Sequence, residues 1–142
     1  MTEEVVIIDD EPANIIWLSD FLEDSGFKVS IRTDVNTGIE EISPKKARFA
    51  IIDLNVPVFP PLSAQVSEKG ELYQQYPGLF VAWTARNIGY RDRQIVIYTV
   101  HRDSRVADES KKIGCTYIMK GRPRMLKDEI SHIISFDPTK ED

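Results

Sequence analysis

Five polar side chains close short apolar runs in this chain, and their types suit one kind of chemistry. VVII runs into Asp9 and Asp10, FAII into Asp53, IVIY into Thr99 and TYIM into Lys120. Carboxylates are the hard oxygen ligands that a divalent cation takes, and a carboxylate can also attack a phosphoryl group. A hydroxyl and an amine would offset negative charge on the phosphoryl oxygens. Three clustered acids repel one another, which raises some of their pKa values until a cation or Lys120 compensates. Each position also has an ordinary reading: an Asp pair as a turn or cap, a Thr as β-propensity, a Lys as a solvated side chain. The constellation rests on all of them falling at strand ends.

The elements that must position these groups alternate. A run of four to six Val, Ile, Phe and Tyr residues reads as a buried strand of a parallel sheet. After the first, Pro12 suits a first helical turn, and Ile15, Leu18 and Leu22 recur on one face before Gly26. Residues 27–32 read as a second strand. Asp34 can cap a short helix carrying Val35, Ile39 and Ile42, followed by Pro44. Beyond the strand that ends at Asp53, a helix over about 78–88 carries Leu79, Ala82 and Trp83, and a strand over 95–98 follows. Asp103 or Ser104 can cap the next helix, with Val106, Ser110 and Ile113 inward and Gly114 at its end. A strand over 115–119 leads to a helix with Leu126, Ile130, Ile133 and Ile134. Five strands alternating with five helices predict an α/β fold, a doubly wound parallel sheet covered on both faces. In such sheets the carboxyl ends of the strands open onto the ligand crevice, which is where all five polar residues fall. Residues 58–77 break the rhythm, since such connections usually take about 2–6 residues.

Composition sets the bounds. The chain has 142 residues, 42% hydrophobic and 29% charged, which suits one soluble domain. A net charge of -5 argues against a direct nucleic-acid or membrane surface. Cys115 is the only cysteine, which excludes an internal disulfide and suits a reducing compartment. No apolar run approaches a membrane span, and a strand starting right after Met1 leaves no room for a signal peptide, so a cytoplasmic location is expected. Cys115, Trp17 and Trp83 read as packing residues and His132 as a surface residue, whereas His101 falls at the mouth of the polar rim.

With these residues in view, the chain resembles the receiver domain of two-component response regulators. The resemblance rests on Asp9-Asp10 in VVIIDDEP, Asp53 in IIDLNVP, Thr99 in IVIYTV and Lys120 in YIMKG, and it covers residues 4–134. It implies a flavodoxin-like sheet of strand order 2-1-3-4-5, the order of the chemotaxis receiver, with 58–77 a long insertion between the third strand and third helix. Residues 1–136 would be the receiver domain and 137–142 a frayed tail or the start of a linker. By resemblance Asp53 is the nucleophile that accepts a phosphoryl group. Mg²⁺ would be ligated by Asp10, Asp53 and the backbone carbonyl of Asn55, with Asp9 acting through water. Lys120 would pair with the Asp53 carboxylate and then with the phosphate, Thr99 would hydrogen-bond a phosphate oxygen, and Tyr117 would be the switch aromatic. The partners implied are a sensor histidine kinase or phosphotransfer protein and a downstream effector protein. The chain would be a signalling module that turns over no outside substrate.

Three features depart from the family pattern. Lys120 is followed by Gly121 instead of Pro, Val100 follows Thr99 where a smaller residue is usual and would narrow access to the phosphate, and the 58–77 link is long. The link carries Phe59, Leu62, Leu72, Tyr73 and Tyr76 as apolar anchors around a polar centre, Ser67 to Gly70. It is therefore expected to form a partly packed flap with a mobile tip that restricts access to the site. Two other functions compete. A phosphohydrolase with an aspartyl nucleophile would need a second acid where Asn55 stands. An adaptor of the same fold would work without phosphorylation, leaving Asp53, Thr99 and Lys120 without a use.

Overall fold

A computed structural model of the chain describes residues 4–43, 45–121 and 123–135. The expected tail, 137–142, and the expected Pro44 stop lie outside these residues, as do the side chains of Ile133 and Ile134. The elements run β1 (Glu4–Ile8), a 3-10 turn (Pro12–Ile15), α1 (Ile16–Asp24), β2 (Lys28–Arg32), α2 (Val35–Glu41) and β3 (Phe49–Ile52). They continue with α3 (Leu62–Glu68), α4 (Glu71–Gln75), α5 (Gly78–Asn87), a second 3-10 turn (Asp92–Gln94) and β4 (Ile95–Thr99), and end with α6 (Ser104–Ile113), β5 (Thr116–Met119) and α7 (Pro123–Ser135). The five strands form one parallel sheet in the order β2-β1-β3-β4-β5, flavodoxin-like, as expected.

Strand alternation divides the interior in two. Val6, Ile8, Ala50, Ile52, Ile95 and Ile97 point to one face and pack against Val35 of α2, Leu79 and Ala82 of α5, and Val106 and Ile113 of α6. Val5, Ile7, Phe49, Ile51 and Val96 point to the other, against Leu18 and Leu22 of α1 and Leu126 and Ile130 of α7. Because side chains alternate with period two, each strand supplies both layers and must be apolar throughout. Truncating one such residue, Ile51→Ala, would cost about 2–5 kcal/mol through lost transfer energy and the cavity left behind. Helix boundaries follow side-chain chemistry. Asp34 accepts from the Thr37 amide at 2.7 Å to open α2, and Asp103 accepts from the Arg105 amide at 2.9 Å to open α6. Gly114 ends α6 in the left-handed conformation, φ 84°, which an L side chain rarely adopts.

The connection between β3 and α5 differs from expectation. Five helices were predicted; the described residues hold seven α-helices, and the two additional ones, α3 and α4, lie in this connection. Tyr73, Tyr76 and the unanticipated Val66 are buried in the same layer as α2, α5 and α6, with Leu62 and Leu72 partly buried beside them. Phe59 is no anchor: its side chain is 51% exposed, and the residue is held through its backbone, which exchanges two hydrogen bonds with Asn36 at 2.8 and 3.1 Å. The polar centre is also tethered, since Lys69 lies 4.0 Å over the Trp83 ring and 5.3 Å over that of Tyr73.

Candidate functional site

The site is assembled by the hydrogen-bond ladder running one step past the strand ends. Ile8 pairs with Ile52, and the Asp53 amide then donates to the Ile8 carbonyl at 2.8 Å. The Asp9 amide donates to the Arg32 carbonyl at 2.9 Å. On the other side Thr99 pairs with Met119, and the Lys120 amide donates to the Thr99 carbonyl at 2.7 Å. The backbones of Asp9, Asp53, Thr99 and Lys120 are thus fixed by the sheet, and their side chains leave a rigid rim.

Asp9 and Asp53 are buried, and Asp10 is exposed. Each of the three can offer one carboxylate oxygen such that all three oxygens lie within 4.8 Å of one another. Lys120 reaches across β4, its ammonium 5.9 Å from the Tyr98 ring. It lies 2.6 Å from Asp9 Oδ2 and 3.6 Å from Asp53 Oδ2. Lys120 thus pairs with Asp53, as the resemblance implied, and more closely with Asp9, a partner the sequence reading did not name. The physical reason is register: Asp9 and Asp53 follow paired residues and stand side by side, so a long lysine can reach either. Asp9 also accepts from the Glu11 amide at 2.9 Å. Asp53 Oδ1 is buried and has no hydrogen-bond partner among the described residues.

The electrostatics follow from that asymmetry. Burial pushes the Asp53 carboxyl above the usual range; Lys120 pulls it down, the charge of Asp9 pushes it up again, and the Thr99 hydroxyl and Leu54 amide oppose, with a net rise. Burial lowers the Lys120 pKa, but its hydrogen bond to Asp9 and the charges of Asp53 and Asp9 outweigh this and raise it. A buried carboxylate with an unpartnered oxygen beside two further acids is a set of hard donors in excess of positive charge. Those residues fit a divalent cation such as Mg²⁺, which takes oxygen ligands.

The remaining candidates fall around this rim. Thr99 is fully buried, and its Oγ1 accepts from the His101 amide at 3.2 Å. The Tyr117 hydroxyl donates to the His101 carbonyl and accepts from the Asp103 amide at 3.4 Å, with its ring against the core. Asn55 is exposed, two residues beyond Asp53. Val100, next to Thr99, stands 66% exposed. The His101 ring lies against Tyr76, centroids 5.3 Å apart. Trp17 packs edge-on to Tyr98 and Trp83 against Phe80, as packing residues should. Cys115 is half-buried against the core and His132 is exposed.

Sequence reasoning missed Gly78. A Cβ placed there would lie 2.1 Å from the Asp53 carbonyl oxygen and 2.8 Å from Leu54 Cα, so only glycine lets α5 begin against the Asp53 strand end. A glycine after a proline reads as a helix start, and nothing local marks the close approach.

Comparison with known proteins places the fold. Similar solved structures include a CheY-like response regulator receiver domain protein from Methanospirillum hungatei JF-1, at 20% identity and TM-score 0.72, covering 95% of both chains. A two-component response regulator from Clostridium difficile has 18% identity and TM-score 0.70, covering 95% of this chain and 97% of that one. A response regulator from Burkholderia pseudomallei, solved with a phosphorylated aspartic acid, calcium ion and citrate, has 17% identity and TM-score 0.65, covering 94% of this chain and 69% of that one. The chain has the fold of response regulator receiver domains. No family model matches the sequence, and no curated protein matches it. No helix among the described residues is long and apolar enough to cross a membrane.

Proposed function

We propose that this chain is the receiver domain of a two-component response regulator, accepting a phosphoryl group on Asp53 and switching partner binding as a result. The observation that carries this reading is Asp53 itself: a sheet-fixed, buried carboxylate with one unpartnered oxygen, two neighbouring acids and a lysine within reach. The receiver fold of the neighbours supports it, as does the phosphorylated aspartic acid and calcium ion of the Burkholderia protein.

In the reaction an Asp53 carboxylate oxygen attacks the phosphorus of the donor. An oxygen–phosphorus bond forms to give an acyl phosphate, and the bond from phosphorus to the donor's leaving group breaks; with acetyl phosphate the leaving group is acetate. Mg²⁺, held by Asp10, Asp53 and the Asn55 carbonyl with Asp9 through water, would supply the positive charge that offsets the phosphoryl oxygens. Lys120 leaves its position between Asp9 and Asp53 to pair with the phosphoryl group, and Thr99 donates its hydroxyl to another phosphoryl oxygen. That draws the Thr99 side chain from the His101 amide and biases Tyr117, whose hydroxyl is tied to the same loop.

The module spans 1–136, with 137–142 a tail or the start of a linker. It works in the cytoplasm, takes its phosphoryl group from a sensor histidine kinase or phosphotransfer protein, and passes its state to an effector protein. It turns over no outside substrate. The test is intact mass after incubation with Mg²⁺ and acetyl phosphate. A gain of one phosphoryl group in the wild type and none in Asp53→Asn is expected, and equal labelling of the two would falsify the assignment.

A further inference from the structure

Residues 73–78 bridge two parts of the molecule that the phosphoacceptor chemistry must connect. At one end, the Gly78 amide donates to the Leu54 carbonyl at 2.9 Å, and the Gly78 backbone is seated against the Asp53 carbonyl. At the other, the side chains of α4 and Tyr76 bond to α6 and to the loop before it. The Tyr73 hydroxyl donates to Glu109 Oε2 at 2.5 Å, and the Tyr76 hydroxyl donates to Asp103 Oδ2 at 3.2 Å. Arg105 donates to Gln75 Oε1 at 3.0 Å while also pairing with Asp103 at 2.7 Å. The Tyr76 ring lies on His101. Tyr73 and Tyr76 are both buried, so their hydroxyls are polar groups that need these acceptors.

The loop over 100–103 is held at three places. Thr99 Oγ1 takes the His101 amide, the Tyr117 hydroxyl takes the His101 carbonyl and the Asp103 amide, and Tyr76 takes the His101 ring and the Asp103 carboxylate. The first two are the groups assigned above to the response to phosphoryl transfer. The third comes from the β3–α5 connection, a different element from those that carry Thr99 and Tyr117.

We infer that residues 73–78 act as a strap between the Asp53 strand end and α6, holding α6 and the 100–103 loop in the resting arrangement against which phosphorylation of Asp53 must work. The inference rests on the reading of Asp53 as phosphoacceptor. It replaces the expected flap over the site with a restraint beside it. Restraining the resting arrangement lowers the population of the switched one before phosphorylation, and so the rate at which a donor finds a competent site.

The test uses Tyr73→Phe with Tyr76→Phe in the full chain, which keeps both rings in the core and removes only the two hydroxyls. A second variant, Glu109→Gln, leaves both tyrosines in place. Amide hydrogen exchange of 101–113 is measured without donor or metal, and labelling by acetyl phosphate with Mg²⁺ is measured separately. In the double variant exchange should quicken by about a hundredfold, the low end for two lost hydrogen bonds to carboxylates, and labelling should quicken about threefold; Glu109→Gln should shift both in the same direction by less. Unchanged exchange in both variants would overturn the strap. Faster exchange with unchanged labelling would leave these bonds a purely structural role and overturn the coupling. Failure of the wild type to be labelled at all would instead overturn the receiver reading, and the exchange result would stand apart from it.

Discussion

Two buried carboxylates in this molecule have opposite surroundings. Glu41, at the end of α2, has one cation for each oxygen: Arg32 at 2.8 Å and Lys46 at 3.0 Å. Burial raises its pKa, but hydrogen bonds to Lys46 and Arg32 overcome this and hold it below the ordinary value. Among the described residues Asp53 shares one lysine with Asp9 and keeps one oxygen unpartnered, and its pKa is raised. Removing a charge from water is costly unless pairing is complete. Glu41 is complete and reads as structure. Asp53 is left short of one positive charge, and this deficit is what a cation and a phosphoryl group would fill.

The largest expected effect separates the two by labelling. With Mg²⁺ and acetyl phosphate, Asp53→Asn should gain no mass, whereas Glu41→Gln should label like the wild type. Labelling lost in both variants would erase the distinction. Next come the lysines. Lys120→Met should slow labelling by about 10²–10³-fold, the usual loss for one preorganised charge-stabilising group. Lys46→Met should leave the rate within about twofold, since among the described residues Lys46 pairs with Glu41 and not with the site; quench-flow or timed mass spectra would measure both.

Metal should sharpen the contrast through stability. A ligand that binds only the folded state adds about 2.7 kcal/mol at a hundred times its Kd. Saturating Mg²⁺ should therefore raise the melting temperature of the wild type and of Glu41→Gln, and chelation should reverse the rise. Asp10→Ala should abolish most of it, and a full shift in that variant would remove Asp10 from the ligand set.

The smallest effect is the opposite sign of the two carboxyls' pH dependence. Glu41 has a lowered folded pKa, so its stabilisation is present above the unfolded value near 4.5 and is lost as pH falls through the folded value. Asp53 has a raised folded pKa, so its contribution is present below the unfolded value of 3.8 and is lost as pH rises through the folded value. At neutral pH without metal, Asp53→Asn should melt about 2–4 °C higher than the wild type and Glu41→Gln lower. On acidification from about pH 5 to about pH 3, Glu41→Gln should lose less than the wild type. Calorimetry across that range decides both signs.

Much of the rim was legible because parallel strands buried on both faces are continuously apolar, so the first polar residue after each run marks its carboxyl end. Asp9, Asp10, Asp53, Thr99 and Lys120 all stand out this way, and the alternation of strands and helices around them gives the doubly wound sheet. The choice of Lys120 between Asp9 and Asp53 was not legible, because register puts both acids at one level and side-chain reach decides. Helices α3 and α4 were hidden for a different reason. They have seven and five residues, too few for a period to show, and neither opens on a side-chain cap. The bonds of Tyr73 to Glu109 and Tyr76 to Asp103 span 36 and 27 residues, beyond any local pattern. Tyrosines in a long connection showed only that the segment packs, not upon what.

Gly78 gives the connection a fixed address without fixing its length. Whatever precedes it, the chain must return to one residue without a side chain, set against the Asp53 carbonyl, before α5 can start. Lengthening the segment upstream costs only slowly growing closure entropy, about 0.6 kcal/mol per doubling. The exposed stretch from Ser67 to Gly70 is thus a port for grafting: a peptide that folds on its own ligand, inserted there, would leave the return point untouched. Its occupancy would be felt at α6 through Tyr73 and Tyr76, giving the proposed receiver a second input.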